Sequence, residues 1–171
     1  MIDSSRLRAF LRPALTGLFV AMLAAPAGAV TIQDTAPDFT LKSLEGSNLR
    51  LDEIAPGRAH QLLASRRPGP CRQEMPLLDR LHQRYVDTGF AVLGINVEGE
   101  EAPARALIDK IPVTFPVLID EGQQVSELYK LEAMPSTIVL DRDGVVRYIH
   151  RGYKPGDEAK YVEVVRELIR E

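Results

Sequence analysis

The feature that most constrains this chain is a strand-length segment followed by a Gly-Pro turn and a helix. Residues 58–65 have the length of a strand, and Gly69 and Pro70 form the turn. Residues 70–87 then carry apolar side chains at helical spacing. These apolar residues are Leu77, Leu78, Leu81 and Tyr85. Proline is tolerated in a first helical turn because its missing N–H would be unpaired there. The sequence therefore predicts a helix with Cys71 in its first turn.

Cys71 is the only cysteine of the 171-residue chain, so no intramolecular disulfide can form. A cysteine at a helix start lies near the positive end of the helix dipole, which favours thiolate over thiol. Two interpretations follow for Cys71. It is either a buried and inert side chain, or a reactive thiol that forms mixed disulfides with a partner or with glutathione.

The N-terminal segment has the pattern of an export signal. Three arginines precede an apolar run at 14–25, which is followed by Ala27, Gly28 and Ala29. The run is short for a membrane span, and the small residues match a cleavage site. We predict a signal peptide at 1–29 and an exported, periplasmic domain at 30–171 with no membrane span after cleavage. An uncleaved N-terminal anchor is the alternative.

Charge and size limit the function classes for the exported part. Residues 1–29 carry a net charge of +2 and the whole chain −3, so residues 30–171 are near −5. This balance argues against nucleic acid or an anionic membrane surface as a partner. The 142 residues that remain after cleavage suit a single domain with a full core.

Strand and helix patterns alternate along this domain. Residues 36–53 predict a β-hairpin, with a turn at 45–47. Further strands are predicted at 58–65, 90–97, 115–120, 134–141 and 145–150, and helices at 70–87, 102–111, 122–130 and 155–171. Residues 90–97 are almost continuously apolar, as in a strand covered on both faces. The order predicts an α/β fold with a central mixed sheet flanked by helices.

Three motifs resemble one family. Residues 69–76 (Gly-Pro-Cys-Arg-Gln-Glu-Met-Pro) resemble the second half of a thioredoxin-type active site of the exported TlpA/ResA-like branch. Residues 134–137 (Met-Pro-Ser-Thr) resemble its cis-proline loop, and residues 36–41 its Ala-Pro-Asp-Phe opening. The resemblance implies a thioredoxin fold with an N-terminal hairpin. It also implies cofactor-free reduction of disulfides in exported proteins, including those of cytochrome c maturation.

The resemblance assigns a role to each motif residue. In the family the first cysteine of Cys-x-x-Cys attacks and the second resolves. Cys71 matches the second, Pro68 stands at the first, and Arg67 replaces the preceding aromatic residue. The two-cysteine cycle therefore cannot run within this chain, and positions Arg67, Pro68, Gly69 and Pro70 form a degenerate motif. Glu74 matches an acid/base carboxylate, and a solvated surface carboxylate is the alternative.

Met134 and Pro135 match the substrate-binding loop of the family. The resemblance implies a cis Pro135 and pairing of the Met134 backbone with a bound peptide, whereas a trans proline on an edge strand is the alternative. Two functions therefore remain open. One is thiol–disulfide exchange with exported protein thiols and disulfides, and the other is non-catalytic peptide binding. His60 and His150 lack a second ligand at metal spacing, so no metal site is predicted.

Residues 58–65 are a poor match to a buried strand. His60 and Gln61 are unusual there, where the family pattern resembles Ile-Asn-Phe-Trp. The run His60-Gln61-Leu62-Leu63 is also what Ile-Asn-Phe-Trp becomes when its codons are read one nucleotide early. A local frameshift over 58–68 is therefore an alternative hypothesis to true divergence, and resequencing of the gene tests it.

Overall fold

The centre of the protein is one mixed β-sheet. The computed structural model describes residues 28–54, 59–65 and 68–171, with only the backbone described at 59–65, Pro68 and Pro70. Its strands are β1 (Thr40–Ser43), β2 (Asn48–Arg50), β3 (Ala59–Ser65), β4 (Phe90–Asn96), β5 (Val117–Ile119), β6 (Ser136–Leu140) and β7 (Val146–Arg151). They lie in the order β2-β1-β5-β4-β3-β6-β7. Strand β4 runs parallel to β3 and β5, and the remaining neighbours pair antiparallel.

The helices connect these strands. They are α1 (Leu51–Ile54), α2 (Pro68–Tyr85), α3 (Glu101–Ile108), α4 (Gln124–Leu128) and α5 (Glu158–Arg170). A 3-10 turn at Val86–Thr88 follows α2, and Gly89 closes it with φ of 94°. Within the described part of the chain, no helix has both the length and the apolar character needed to cross a membrane.

The sheet is covered on both faces, and β4 shows this most clearly. Phe90 and Val92 pack with α2, α3 and α5 on one face. Leu93 and Ile95 pack with α1, α4 and the hairpin on the other face. Side chains alternate between the faces of a strand, so a strand buried on both sides must be apolar throughout. The predicted α/β fold with a mixed central sheet and flanking helices is confirmed.

The start of α2 differs from the prediction. The helix begins at Pro68, two residues before the predicted start at Pro70. The first helical position suits proline, because its fixed φ is already helical and no N–H is needed there. The preceding strand Ala59–Ser65 lies between β4 and β6 and pairs with both through its backbone. Arg66 and Arg67, and the predicted signal peptide up to residue 27, lie outside the described residues.

Candidate active site

Cys71 is the fourth residue of α2, which is the next element of the chain after the central strand β3. Gly69 before it is exposed, whereas Cys71 is only 1% exposed. Cys71 is buried because of its position on the helix, where residues four and seven positions apart share a face. Cys71, Met75 and Leu78 follow that spacing and are all buried. The Cys71 side chain therefore lies on the inner face of α2.

Glu74 lies one turn beyond Cys71 and is completely buried. Its Oε1 accepts a hydrogen bond from the Thr137 hydroxyl on β6 at 3.0 Å and another from the Tyr161 hydroxyl on α5 at 3.0 Å. No described residue forms a hydrogen bond with Oε2. The alternative of a solvated surface carboxylate is therefore wrong. Glu74 precedes Leu78 by four residues and Leu81 by seven, and so lies on the apolar stripe of the helix.

The buried position of Glu74 changes its acidity. Burial raises the pKa of Glu74 from 4.5 to about 7, because a carboxylate loses its hydration there. The hydrogen bonds from Thr137 and Tyr161 oppose this rise, and the negative charge of Asp157 adds to it. A carboxyl group with this pKa exchanges its proton near neutral pH. This is the range in which a general acid or base is most effective.

The Met134–Pro135 loop leads into the strand that contacts Glu74. The peptide bond between these two residues is cis, and the carbonyl of Pro135 accepts a hydrogen bond from the Gly152 N–H at 2.7 Å. Strand β6 starts at the next residue and lies inside the sheet, between β3 and β7. The alternative of a trans proline on an edge strand is therefore wrong. Thr137, two residues after Pro135, links this loop to Glu74.

A cluster of aromatic and charged side chains surrounds Tyr161. Its ring meets the rings of His150 and Tyr148 edge-on, with centroids 5.6 Å and 6.3 Å away. Nε2 of His150 lies 2.9 Å from a carboxylate oxygen of Asp157, and the Lys154 N–H donates to the same oxygen at 2.8 Å. His150 therefore has a hydrogen-bonding role in this cluster. Within the described ranges, no three potential metal ligands are grouped.

Thr137 and Tyr161 are the site residues that the sequence analysis missed. Thr137 stands in the Met-Pro-Ser-Thr motif, but its contact with Glu74 depends on the pairing of distant strands. Tyr161 has a sequence signal, because Tyr161, Val165 and Leu168 follow the spacing of a buried helix face and all three are buried. Reading that face would have placed Tyr161 in the core, although not next to Glu74.

Comparison with known proteins places this site in a family. A model of the AhpC/TSA family matches residues 32–149. The chain belongs to the AhpC/TSA family. Among the curated relatives, the thioredoxin-like protein YneN of Bacillus subtilis (strain 168) is 36% identical over 120 residues, which cover 68% of this chain and 69% of YneN. The thiol-disulfide oxidoreductase ResA of Halalkalibacterium halodurans is 28% identical over 137 residues, covering 80% of this chain and 76% of ResA.

A solved structure supports the same grouping. The crystal structure of a putative thiol:disulfide interchange protein DsbE from Chlorobium tepidum superposes with a TM-score of 0.78 and 27% identity. The match covers 82% of this chain and 99% of that protein. Within the AhpC/TSA family, the chain is thus a thioredoxin-like member of the thiol–disulfide oxidoreductase group, as the TlpA/ResA-like motifs predicted.

Proposed function

We propose that this protein exchanges thiols and disulfides with exported proteins, using Cys71 as its single reactive sulfur. The observation that carries the proposal is the placement of Cys71 and Glu74 one turn apart on α2, where Glu74 is buried and its pKa is about 7. Side chains three residues apart on a helix are neighbours. A carboxyl group of this acidity is suited to take the proton that Cys71 must lose before it can attack.

The chemistry starts with a disulfide in the partner protein. The thiolate of Cys71 attacks one partner sulfur, so a Cys71–partner disulfide forms and the other partner sulfur leaves as a thiolate. The chain has no second cysteine to resolve this mixed disulfide. One equivalent of a low-molecular-weight thiol therefore displaces the partner, and a second equivalent frees Cys71. Two electrons and two protons pass from the small thiols to the partner.

Glu74 takes part in a proton transfer in each half of this cycle. It accepts a proton when Cys71 becomes a thiolate, and returns it when a leaving sulfur is protonated. Between pH 6 and 8, a carboxyl group with a pKa of about 7 has at least about a tenth of its population in each form. The same group therefore serves as base and as acid without a large barrier for either step.

The substrates we propose are protein segments in the exported compartment. The predicted signal peptide at 1–29 supports this location, and an oxidising compartment is where protein disulfides persist. The loop at Met134 and Pro135 leads directly into β6, whose Thr137 contacts Glu74. A segment bound along the Met134 backbone would lie near α2, the helix that carries Cys71 and Glu74. The net charge near −5 of residues 30–171 disfavours nucleic acid as a partner.

The burial of Cys71 favours a second candidate function. With 1% of its surface exposed, Cys71 is reached by an external sulfur only after a neighbouring part of the protein moves. A protein in which that movement does not occur would bind peptides at the Met134 loop without redox chemistry. The two functions use the same surface and differ only in the chemistry of Cys71.

An insulin-reduction assay with dithiothreitol separates the two functions. We expect turnover above the dithiothreitol background in the wild type and its loss in Cys71→Ser. Glu74→Gln should lower the rate and flatten its pH dependence near pH 7, because the titrating carboxyl is gone. Equal rates in the wild type and Cys71→Ser would support the binding module and reject the exchange function.

A further inference from the structure

The carboxyl group of Glu74 is asymmetric in its hydrogen bonding. Both hydroxyl donors, from Thr137 and Tyr161, reach Oε1 at 3.0 Å. Oε2 is buried, and none of the residues that the structure describes donates to it or accepts from it. The two donors come from different elements, β6 and α5, and the Thr137 side chain also interacts with the Tyr161 hydroxyl and lowers its pKa. The asymmetry is therefore imposed by the fold around the helix.

This arrangement decides which oxygen holds the proton when Glu74 is neutral. A carboxylate oxygen offers about two lone-pair positions, and the two hydroxyls occupy those of Oε1. A proton on Oε1 would displace one hydroxyl and leave it buried without its acceptor, which is costly. A proton on Oε2 keeps both hydrogen bonds, since Oε1 then acts as the carbonyl oxygen of the acid.

We infer that Thr137 and Tyr161 are positioning residues for Glu74, and that together they confine its exchangeable proton to Oε2. The inference deepens the proposed function and rests on it only where that proton is passed to or from Cys71. In that step the Sγ–H bond of Cys71 breaks and an O–H bond forms at Oε2. The two hydroxyls stay bound to Oε1 throughout.

Other groups around Glu74 influence its charge without occupying Oε1. Asp157, at the start of α5, raises the pKa of Glu74 through its negative charge. The charge of Glu74 in turn raises the pKa of Tyr153, a smaller effect there than burial and Glu158. Cys71 is the titratable neighbour on α2, and the His150 ring meets the Tyr161 ring edge-on. Asp157, Tyr153 and His150 are kept in every variant that tests the inference.

A titration of the Glu74 carboxyl in the full-length protein tests the inference. Glutamate side chains are labelled with carbon-13, and the Glu74 signal is identified by its loss in Glu74→Gln. Hydrogen bonds from hydroxyls stabilise a carboxylate more than a neutral acid. We therefore expect the pKa of Glu74 to rise by about one pH unit in Tyr161→Phe and in Thr137→Val. The infrared carbonyl band of protonated Glu74 should move to higher frequency in both variants.

Two matched variants exclude a merely structural effect. Thr137→Ser keeps the hydroxyl, and Tyr148→Phe removes a neighbouring hydroxyl that contacts His150. Both should titrate like the wild type. A pKa of Glu74 that stays constant or falls in both Tyr161→Phe and Thr137→Val would overturn the inference. That result would mean that the proton of the neutral acid lies on Oε1 and that the two hydroxyls accept its hydrogen bond.

The titration does not use the thiol, so it is separable from the proposed function. Repeated in Cys71→Ser, it should give the same ranking of variants. A protein that shows this ranking but no exchange at Cys71 would retain the positioning role and lose the exchange function. A protein that exchanges at Cys71 without this ranking would retain the function and lose the positioning role.

Discussion

Tyr161 on α5 donates a hydrogen bond to Oε1 of Glu74 on α2, across 3.0 Å and 87 positions of sequence. Both residues are buried, at 1% and 0% exposure. The bond connects the C-terminal helix to the helix that carries Cys71. It makes α5 part of the candidate active site, whereas the sequence motifs lie at residues 36–41, in α2 and at the start of β6.

The first prediction concerns the pH dependence of stability. The pKa of Glu74 is about 7 in the folded protein, whereas an unperturbed glutamate, as in the unfolded chain, has a pKa of 4.5. Between these two pH values the folded protein therefore binds more protons than the unfolded one. The free energy of unfolding should therefore fall by roughly 3 kcal/mol as pH rises from about 4.5 to 7, and this contribution is constant outside that window. Glu74→Gln should remove the fall, measured by urea unfolding at several pH values.

The control for this prediction is Glu101→Gln. Glu101 lies on α3, where a hydrogen bond from Arg105 lowers its pKa, so its contribution has the opposite sign to that of Glu74. This variant should keep the wild-type fall in stability between pH 4.5 and 7. An unchanged fall in Glu74→Gln would show that Glu74 is not the source.

The second prediction concerns the contact of α2 with the sheet. Leu78 is 1% exposed and packs in the core beneath α2 and α5. Leu78→Ala should lower the free energy of unfolding by about 2–4 kcal/mol, because a buried cavity replaces the side chain. Leu128→Ala is the matched control, since Leu128 is 38% exposed. Its loss should stay below about 1 kcal/mol in the same denaturation experiment.

The sequence predicted the fold better than the site, and the reason is physical. Strand β4 and helix α2 show their burial in their own apolar spacing, which the sequence displays directly. The segment Ala59–Ser65 has a weak strand pattern but still forms the central strand, because its backbone pairs with strands on both sides.

The site depends on contacts between distant segments, which local patterns do not contain. Glu74 shares a helix face with Leu78 and Leu81, so its burial was available from spacing. Its contacts with Thr137 and Tyr161 were not available, since they require the folded positions of β6 and α5. The start of α2 at Pro68 was missed for a local reason. Both Pro68 and Pro70 are acceptable in a first helical turn, and the spacing alone did not choose between them.

The third prediction concerns the turn after β4. Gly99 has φ of +76°, and a Cβ there would lie 3.0 Å from the Cα of Glu121 and 3.1 Å from the carbonyl oxygen of Asp120. Gly99→Ala should therefore destabilise the protein by about 2–4 kcal/mol, from backbone strain together with a clash against a neighbouring main chain.

Gly46→Ala separates these two causes. Gly46 in the hairpin turn has φ of +94°, but a Cβ there would meet nothing within 4 Å. This variant should lose only about 1 kcal/mol, which is the strain alone. Equal losses for the two variants in thermal unfolding would contradict a steric role for the close approach at Gly99.

The most direct test of thiol–disulfide exchange at Cys71 is the reaction of the folded protein with glutathione disulfide, followed by intact-protein mass spectrometry. We predict one glutathione adduct, located at Cys71, reversed by dithiothreitol and absent in Cys71→Ser. Its rate in the wild type should depend on pH around 7, and this dependence should be lost in Glu74→Gln. An adduct that forms only after the protein is unfolded in urea would contradict the exchange function and leave the peptide-binding module.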